Sequence, residues 1–134
     1  MCATIKYMTG YIGNIEKLTL ANTYFRQVLF TGQHAQLVIM CLEPNEEIGE
    51  EVHEIVDQFL RIEEGNGKVL INGEKHSVKD GDAIIVPAGT RHNVINTSNN
   101  KQLKLYTVYS PPHHKDGMIH RTKSEAEADE TDHI

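Results

Sequence analysis

The sequence predicts one antiparallel all-β domain, a sandwich or barrel, followed by a short acidic C-terminal extension. From Tyr24 onward, short runs rich in β-branched and aromatic residues alternate with turn residues, a spacing typical of antiparallel barrels. No stretch before residue 118 shows sustained helical periodicity. A chain of 134 residues has the length of one domain with a proper hydrophobic core.

The β-rich runs can be followed in order along the chain. The first two are "TYFRQVLF" and "QLVIMCL", and a turn at Pro44-Asn45 follows them. Asn72-Gly73 lies between two alternating runs and supplies the positive-φ residues of a type I′ turn, which predicts a tight hairpin. The remaining runs are "DQFLRI", "GKVLI", "KHSV", "DAIIVP", "RHNVIN" and "LKLYTVYS".

Composition excludes several classes of function. The formal net charge is −6 and no basic stripe is present, which argues against a nucleic-acid partner. No apolar run approaches about eighteen residues and no signal-peptide pattern opens the chain, so we expect a cytoplasmic protein without a membrane partner. Cys2 and Cys41 make no disulfide framework and are predicted to be reduced thiols, with Cys41 packed as a small core residue.

The stretch "GDAIIVPAGTRHNVIN" carries the most specific motif of the chain. Its Gly81, Pro87, Gly89, His92 and Asn96 have the spacing of the second signature of the cupin superfamily. The chain therefore resembles a small single-domain cupin over about residues 24 to 112. The resemblance implies a jelly-roll barrel, also called a double-stranded β-helix, within a domain of residues 1–120.

The first cupin signature is altered in this chain. Cupins usually have Gly, His, His, Glu and Gly at positions where this chain has Asn45, Glu51, His53, Gln58 and Gly65. Asn tolerates the left-handed conformation of a turn, so the first change is mild. The other two changes, Glu51 and Gln58, fall on metal-ligand positions. Glu51 adds an acid where His is usual and Gln58 removes the usual acid, so the formal ligand charge stays at −1.

Strand parity gives an independent indication of which side chains point inward. In "DQFLRIE", the charged Arg61 and Glu63 are expected outside, which places Gln58 inside. On the strand that begins at His92, the side chain of Val94 shares the face of His92. If Val94 faces the interior, His92 does too.

The resemblance thus implies a divalent metal ion in the barrel, held by Glu51, His53, Gln58 and His92. Two His and a carboxylate with open positions suit iron, and the added amide oxygen also suits manganese; zinc or nickel could use the same ligands. The alternative is that Glu51 belongs to a solvated acidic rim and that His53 is a hydrogen-bonded interior histidine.

The catalytic residues are unknown from sequence, with three weak candidates in Tyr106, His113 and His114. Tyr106 and Tyr109 point to opposite faces of the last long strand, so one of them could line the cavity. His113 and His114 follow Pro111-Pro112, which end strand pairing. A surface loop is the expected setting, although the pair could close over the cavity mouth and act as acid or base.

The C-terminal residues 121–134 differ from the rest. "TKSEAEADETDHI" is acidic and predicts at most a short helix capped by Ser124. We expect a mobile or docked extension without chemistry of its own, with His133 in solvent.

The resemblance leaves several functions open. The favoured one is a metal-dependent enzyme, of dioxygenase, isomerase or lyase type, acting on an oxygen-rich small molecule in the barrel. A sugar isomerase similar to phosphomannose isomerase is the runner-up within this class, weakened because Arg61 and Arg91 form no clear phosphate site. A non-catalytic binding or sensor barrel is the alternative from another class. Homodimerisation is implied by the resemblance alone.

Overall fold

The computed structural model describes residues 9–132, so Cys2 and His133 lie outside the described residues. Within that range, none of the helices has the length and apolar character needed to cross a membrane. The elements are α1 (Ile15–Ala21), β1 (Arg26–Thr31), β2 (Gln36–Leu42), β3 (Asp57–Glu64), β4 (Asn66–Ile71), β5 (Glu74–Lys79), β6 (Ala83–Val86), β7 (His92–Asn96), β8 (Leu103–Ser110), β9 (Ile119–His120), α2 (Lys123–Ala128) and a 3₁₀ helix (Glu130–Asp132).

The strands form two antiparallel sheets. The larger has six strands in the order β6-β3-β8-β2-β1-β9, and the smaller has three in the order β5-β4-β7. The segment before β3 extends the smaller sheet, because Glu47 pairs with Ile95 and Glu51 pairs with His92 across from β7. The predicted antiparallel jelly roll is confirmed.

The hydrophobic core lies between the inner faces of the two sheets. Alternate residues of each strand point into it, as the pleat of a strand requires. Gln58 is only 2% exposed and shares the inner face of β3 with core residues, which confirms the parity argument. The fully buried members include Val38, Met40, Leu42, Leu60, Ile62, Leu103 and Leu105.

One helix, α1, covers the outer face of the larger sheet. Asn14 caps it by accepting a hydrogen bond from the backbone N–H of Lys17 at 3.0 Å. Lys104, which points outward from β8, donates its Nζ to the carbonyl of Leu20 at 2.6 Å. The sequence showed no helical periodicity in this region, because seven residues are too few for such a pattern to emerge.

Cys41 is a buried thiol, as predicted. Burial raises its pKa to about 11, and the charge of Glu43 adds to the shift. It is therefore a protonated, unreactive packing residue at neutral pH.

Three turns confirm the sequence argument. Asn72 and Gly73 have φ of 50° and 85° and join β4 to β5 as the predicted type I′ turn. Asn45, at the altered signature position, adopts a φ of 63°, a conformation that Asn tolerates. Gly65 has a φ of 105°, and a Cβ there would lie 2.6 Å from the carbonyl oxygen of Gln102.

The C-terminal segment is docked on the barrel. The N-cap of α2 is Thr122 and not Ser124, since the Thr122 hydroxyl accepts from the N–H of Glu125 at 3.1 Å. The carboxylate of Glu125 accepts in return from the N–H of Arg121, the residue before the cap. Asp129 follows the helix, and its Oδ2 accepts a hydrogen bond from Nε2 of His120 at 2.9 Å, which anchors the end of the helix.

Replacing Gly65 by Ala is expected to lower the free energy of unfolding by about 3 kcal/mol or more, because left-handed strain adds to a clash with backbone. Gly73→Ala is the matched control: its φ is also positive, but no atom lies within 4 Å of the added Cβ. That variant should lose only about 1 to 2 kcal/mol. Urea denaturation measures both, and equal losses would contradict the packing of Gly65 against Gln102.

Candidate metal centre

The two halves of the site are joined by backbone pairing. Glu51 and His92 face each other across an antiparallel bridge and exchange two hydrogen bonds, each of 2.9 Å. The carbonyl of His53 accepts from the N–H of Gly89 at 2.8 Å, which ties the same segment to the turn before β7. The two cupin motifs therefore meet although they are far apart in sequence.

The side chains of Glu51, His53 and His92 converge on one point. Oε1 of Glu51 lies 3.4 Å from Nε2 of His53 and 3.9 Å from Nε2 of His92. The three potential ligand atoms all lie within 4.8 Å of one another. These three residues could together hold a metal ion.

The Nε2 atoms of His53 and His92 are available as metal ligands. Nδ1 of His92 donates to the carbonyl of Thr90 at 2.9 Å, so in the neutral ring Nε2 carries the free lone pair. The Nε2 atoms of His53 and His92 are both buried, and neither makes a hydrogen bond among the described residues. Buried polar atoms without a partner are costly, and a cation between them would remove that cost.

Gln58 presents a third uncommitted atom. Its amide nitrogen donates to Oγ1 of Thr107 at 3.0 Å, because the Thr107 hydroxyl itself donates to the carbonyl of Phe59. This leaves Oε1 of Gln58 buried and without a partner in the described part of the chain. The residue thus has a free acceptor on the inner face, and its role as a fourth ligand stays a prediction.

Glu51 is half-buried and electrostatically stabilised as a carboxylate. Burial alone would raise its pKa, but the contact with His53 and the electrostatic interactions with His53, Arg26 and His92 outweigh that effect and lower it. A lowered pKa keeps the carboxylate ionised at neutral pH, as a metal ligand must be. The acidic-rim alternative does not describe Glu51, whose side chain points between two histidines.

The cluster opens on a cavity of about 350 Å³. Glu51, His53, His113 and His114 line it, together with residues of the C-terminal segment that include Lys123 and Asp132. The segment is thus docked, as one of the two expectations had it, and contributes to the cavity wall. That it has no chemistry of its own stays a prediction.

His114 is buried and does not lie in a surface loop as expected, whereas His113 is half-buried and lines the cavity, the other setting considered for the pair. The buried side chain of Gln36 holds the pair: its Oε1 accepts from the N–H groups of His113 and His114 at 3.1 and 2.8 Å, and its Nε2 donates to the carbonyl of His114 at 2.7 Å. The His113 ring lies 4.2 Å from the His53 ring, centroid to centroid. Burial lowers the pKa of His113, and the charge of His53 lowers it further.

His114 belongs to a buried hydrogen-bond chain. Its Nδ1 donates to Oδ2 of Asp132 at 2.8 Å, and its Nε2 accepts from the hydroxyl of Tyr109 at 3.2 Å. The other oxygen of Asp132 accepts from the N–H of Lys115 at 2.7 Å. The chain locks the C-terminal segment against β8 and fixes a neutral His114.

Tyr106 does not lie at the site. Its ring packs 6.1 Å from that of Phe59 on the outer face of the sheet, whereas Tyr109 is buried inside with its ring 6.0 Å from that of His53. The inward positions of β8 are odd-numbered, beginning with Leu103 and Leu105. Hydrophobic parity was the signal that could have chosen Tyr109.

A comparison with known protein families identifies the family of this chain. Residues 38–109 match the sequence model of the family described as Cupin domain. The chain belongs to the cupin family.

Two protein sequences and two solved structures are instructive relatives of this cupin. The uncharacterized protein YrkC of Bacillus subtilis is 48% identical over 126 residues, covering 90% of this chain and 67% of its own. The uncharacterized protein L612 of Acanthamoeba polyphaga mimivirus is 46% identical over 112 residues, covering 81% of this chain and 70% of its own. The crystal structure of BH2720 from Bacillus halodurans superposes with a TM-score of 0.87 at 44% identity, over 91% of this chain and 96% of that one. A predicted oxalate decarboxylase from Thermotoga maritima gives a TM-score of 0.56 at 26% identity, over 60% of this chain and 69% of that one.

The His114 chain predicts a pH dependence of stability. Burial and the charge of Arg26 lower the pKa of His114 to about 4, against the opposing effect of Asp132. Between that pH and about 6.5, the unfolded state therefore binds a proton that the folded state does not, so stability falls as the pH falls through this window. His114→Gln should lose this part of the slope, at most about 3 kcal/mol.

Urea denaturation of the wild type and His114→Gln at several pH values measures this difference. His34→Gln, at an exposed turn, is the control that should keep the wild-type slope. Parallel slopes for all three proteins would show that His114 does not fold as a buried neutral imidazole.

Proposed function

We propose that this cupin holds one divalent metal ion through Glu51, His53, Gln58 and His92 and acts as an enzyme on a small oxygen-rich molecule. One observation carries the proposal: three buried acceptor atoms without hydrogen-bond partners lie on the inner face of the barrel, beside an ionised carboxylate. This donor set of two imidazoles, one carboxylate and one amide suits iron or manganese, and zinc or nickel could use it as well.

The donor set has room for substrate. Four protein ligands with a single negative charge would leave a divalent ion with a net positive charge and open positions. When bound, such an ion supplies Lewis-acid chemistry toward an oxygen-bearing substrate. A small molecule in the cavity could reach the cluster, since Glu51 and His53 belong to the cluster and also line the cavity.

The chain's own residues supply the rest of the site. His113 faces the cavity beside His53 and is placed to exchange a proton with a bound molecule. Gln36 positions it by holding its backbone N–H, and residues of α2 together with Asp132 contribute to the cavity wall. Tyr109 and His114 are occupied with each other, so they are assigned to positioning.

The features of the cavity favour an enzyme over a purely structural or sensor barrel. Its lining includes charged and titratable side chains from both the barrel and the C-terminal segment, among them Glu51, His53 and His113. A wholly apolar pocket would have favoured passive binding. A phosphosugar isomerase is not favoured by any particular observation.

The metal prediction is tested by His53→Ala and His92→Ala. Each removes one buried ligand, so the purified variants should lose most of the metal found in the wild type, measured by elemental mass spectrometry. Gln58→Ala tests the fourth ligand in the same way. His113→Asn should keep its metal, because this side chain is assigned to proton transfer.

The matched control is His76→Ala, an exposed histidine on β5 whose Nε2 lies 3.3 Å from Oε1 of Glu74. Circular dichroism confirms that each variant folds. Full metal content in both His53→Ala and His92→Ala would remove the metal assignment. A wild type that stays empty when offered iron, manganese, zinc and nickel would favour the binding-module alternative.

Homodimerisation is likewise a proposal. Ile55 and Ile85 are 77% and 66% exposed, and Ile85 lies on β6 at the edge of the larger sheet. Exposed apolar side chains at a sheet edge are typical of a contact surface. Light scattering should give twice the chain mass, and the mass of a single chain would contradict the proposal.

A further inference from the structure

We propose that this cavity recognises the carboxylate of its substrate through Arg26, so that the substrate is a small carboxylic acid carrying at least one further oxygen. The role of Arg26 stands on the geometry of its own side chain. The further oxygen rests on the proposed function, because a metal ion would need it as a ligand.

Arg26 is a buried cation without a counter-ion. It is the first residue of β1, shares the inward face of Val28, and pairs in register with the buried Met40. Only 7% of the residue is exposed, and its Nε has no hydrogen-bond partner among the described residues. Nor does its guanidinium form an ion pair with any carboxylate in residues 9–132. A buried charge normally has a partner, since desolvation is otherwise uncompensated.

The side chain belongs to the same cavity as the metal cluster. Arg26, Glu51 and His53 all line it. The guanidinium carbon lies 5.1 Å from the centroid of the Phe25 ring, a contact that fixes the orientation of the planar group.

The acids near Arg26 are committed elsewhere. Asp132 accepts hydrogen bonds from His114 and from the N–H of Lys115, and Glu127 is exposed at the mouth. Glu51 belongs to the metal cluster. With a divalent ion beside Glu51, the cavity would carry a positive charge there and another on Arg26. A small anion is the ligand that balances this arrangement.

A carboxylate fits a single arginine better than a phosphate does. The guanidinium presents two parallel N–H donors that match the two oxygens of a carboxylate. A phosphate ester has a third oxygen that needs further donors, and Lys123 is the one other basic side chain of lysine or arginine type among the described lining residues. Lys123 comes from α2, where it can strengthen the attraction for an acid at the mouth.

The test is calorimetric titration of the wild type with lactate, malate and inorganic phosphate, each in metal-free and metal-loaded protein. Propane-1,2-diol is the neutral counterpart of lactate, because it carries a hydroxymethyl group in place of the carboxylate. At least one of the two carboxylic acids should bind, and the diol should not. Metal content is measured on the same samples.

Three variants assign the binding to Arg26. Arg26→Gln should weaken carboxylate binding by about tenfold or more, since it removes charge-assisted hydrogen bonds. Arg26→Lys keeps the charge but loses the paired donors, so its loss should be smaller. Arg91→Gln is the control: Arg91 is an exposed rim residue paired with Glu50 at 3.2 Å, and its removal should leave affinity within about twofold.

Folding is checked by thermal denaturation, and Arg26→Gln should not destabilise the protein because no ion pair is lost. If that variant does not fold, the weaker binding of Arg26→Lys relative to wild type supports the proposal, and equal binding overturns it.

The outcomes separate this inference from the metal assignment. Carboxylate binding that depends on Arg26, in a protein that stays empty when offered iron, manganese, zinc and nickel, supports the inference while the metal proposal fails. A metal-loaded wild type that binds neither acid, or binds them as tightly after Arg26→Gln, overturns the inference alone. Tighter binding of phosphate than of either carboxylic acid overturns the carboxylate assignment.

Discussion

The reciprocal hydrogen bonds between the backbones of Glu51 and His92 are the contact on which the site depends. They add the segment before β3 to the smaller sheet and set Glu51 directly opposite His92. Because side chains of directly opposed residues in an antiparallel pair project to the same face, this register brings the carboxylate to the imidazole. A shift of one residue would turn Glu51 away from the interior.

A second network closes the cavity. Gln36 satisfies all three polar groups of the His113-His114 backbone that face it, and His114 then links Tyr109 to Asp132. Hydrogen bonds in such a buried chain strengthen one another and are costly to leave incomplete. The network therefore holds α2 over the barrel mouth and fixes His113 beside His53.

The polar atoms of the interior divide into satisfied and unsatisfied groups. Gln36, Asp132 and His114 have their hydrogen bonds, whereas His53, His92, Gln58 and Arg26 each keep a buried atom without a partner among residues 9–132. Among the described residues, Arg61 and His120 also keep such an atom, so these open groups are not confined to the cavity. Each buried polar atom without a partner is costly. Acceptors for a cation lie beside a donor for an anion, which is the arrangement expected for binding a metal and an acid together.

The barrel could be predicted from the sequence. So could the Asn72-Gly73 hairpin, the inward face of β3 and the residues of both cupin motifs. These depend on alternation and on turn chemistry, which act between near neighbours in the chain. Tyr109 was within reach of the same parity argument. The folded structure was needed to assign roles to Arg26, Gln36 and Asp132 and to show that α2 docks on the barrel. Those roles arise from contacts between residues far apart in sequence: Gln36 meets His114 across 78 positions, and no local pattern records such a meeting. The burial of an arginine without a counter-ion is likewise a property of the closed barrel, because the chain alone does not say which charges lose their water.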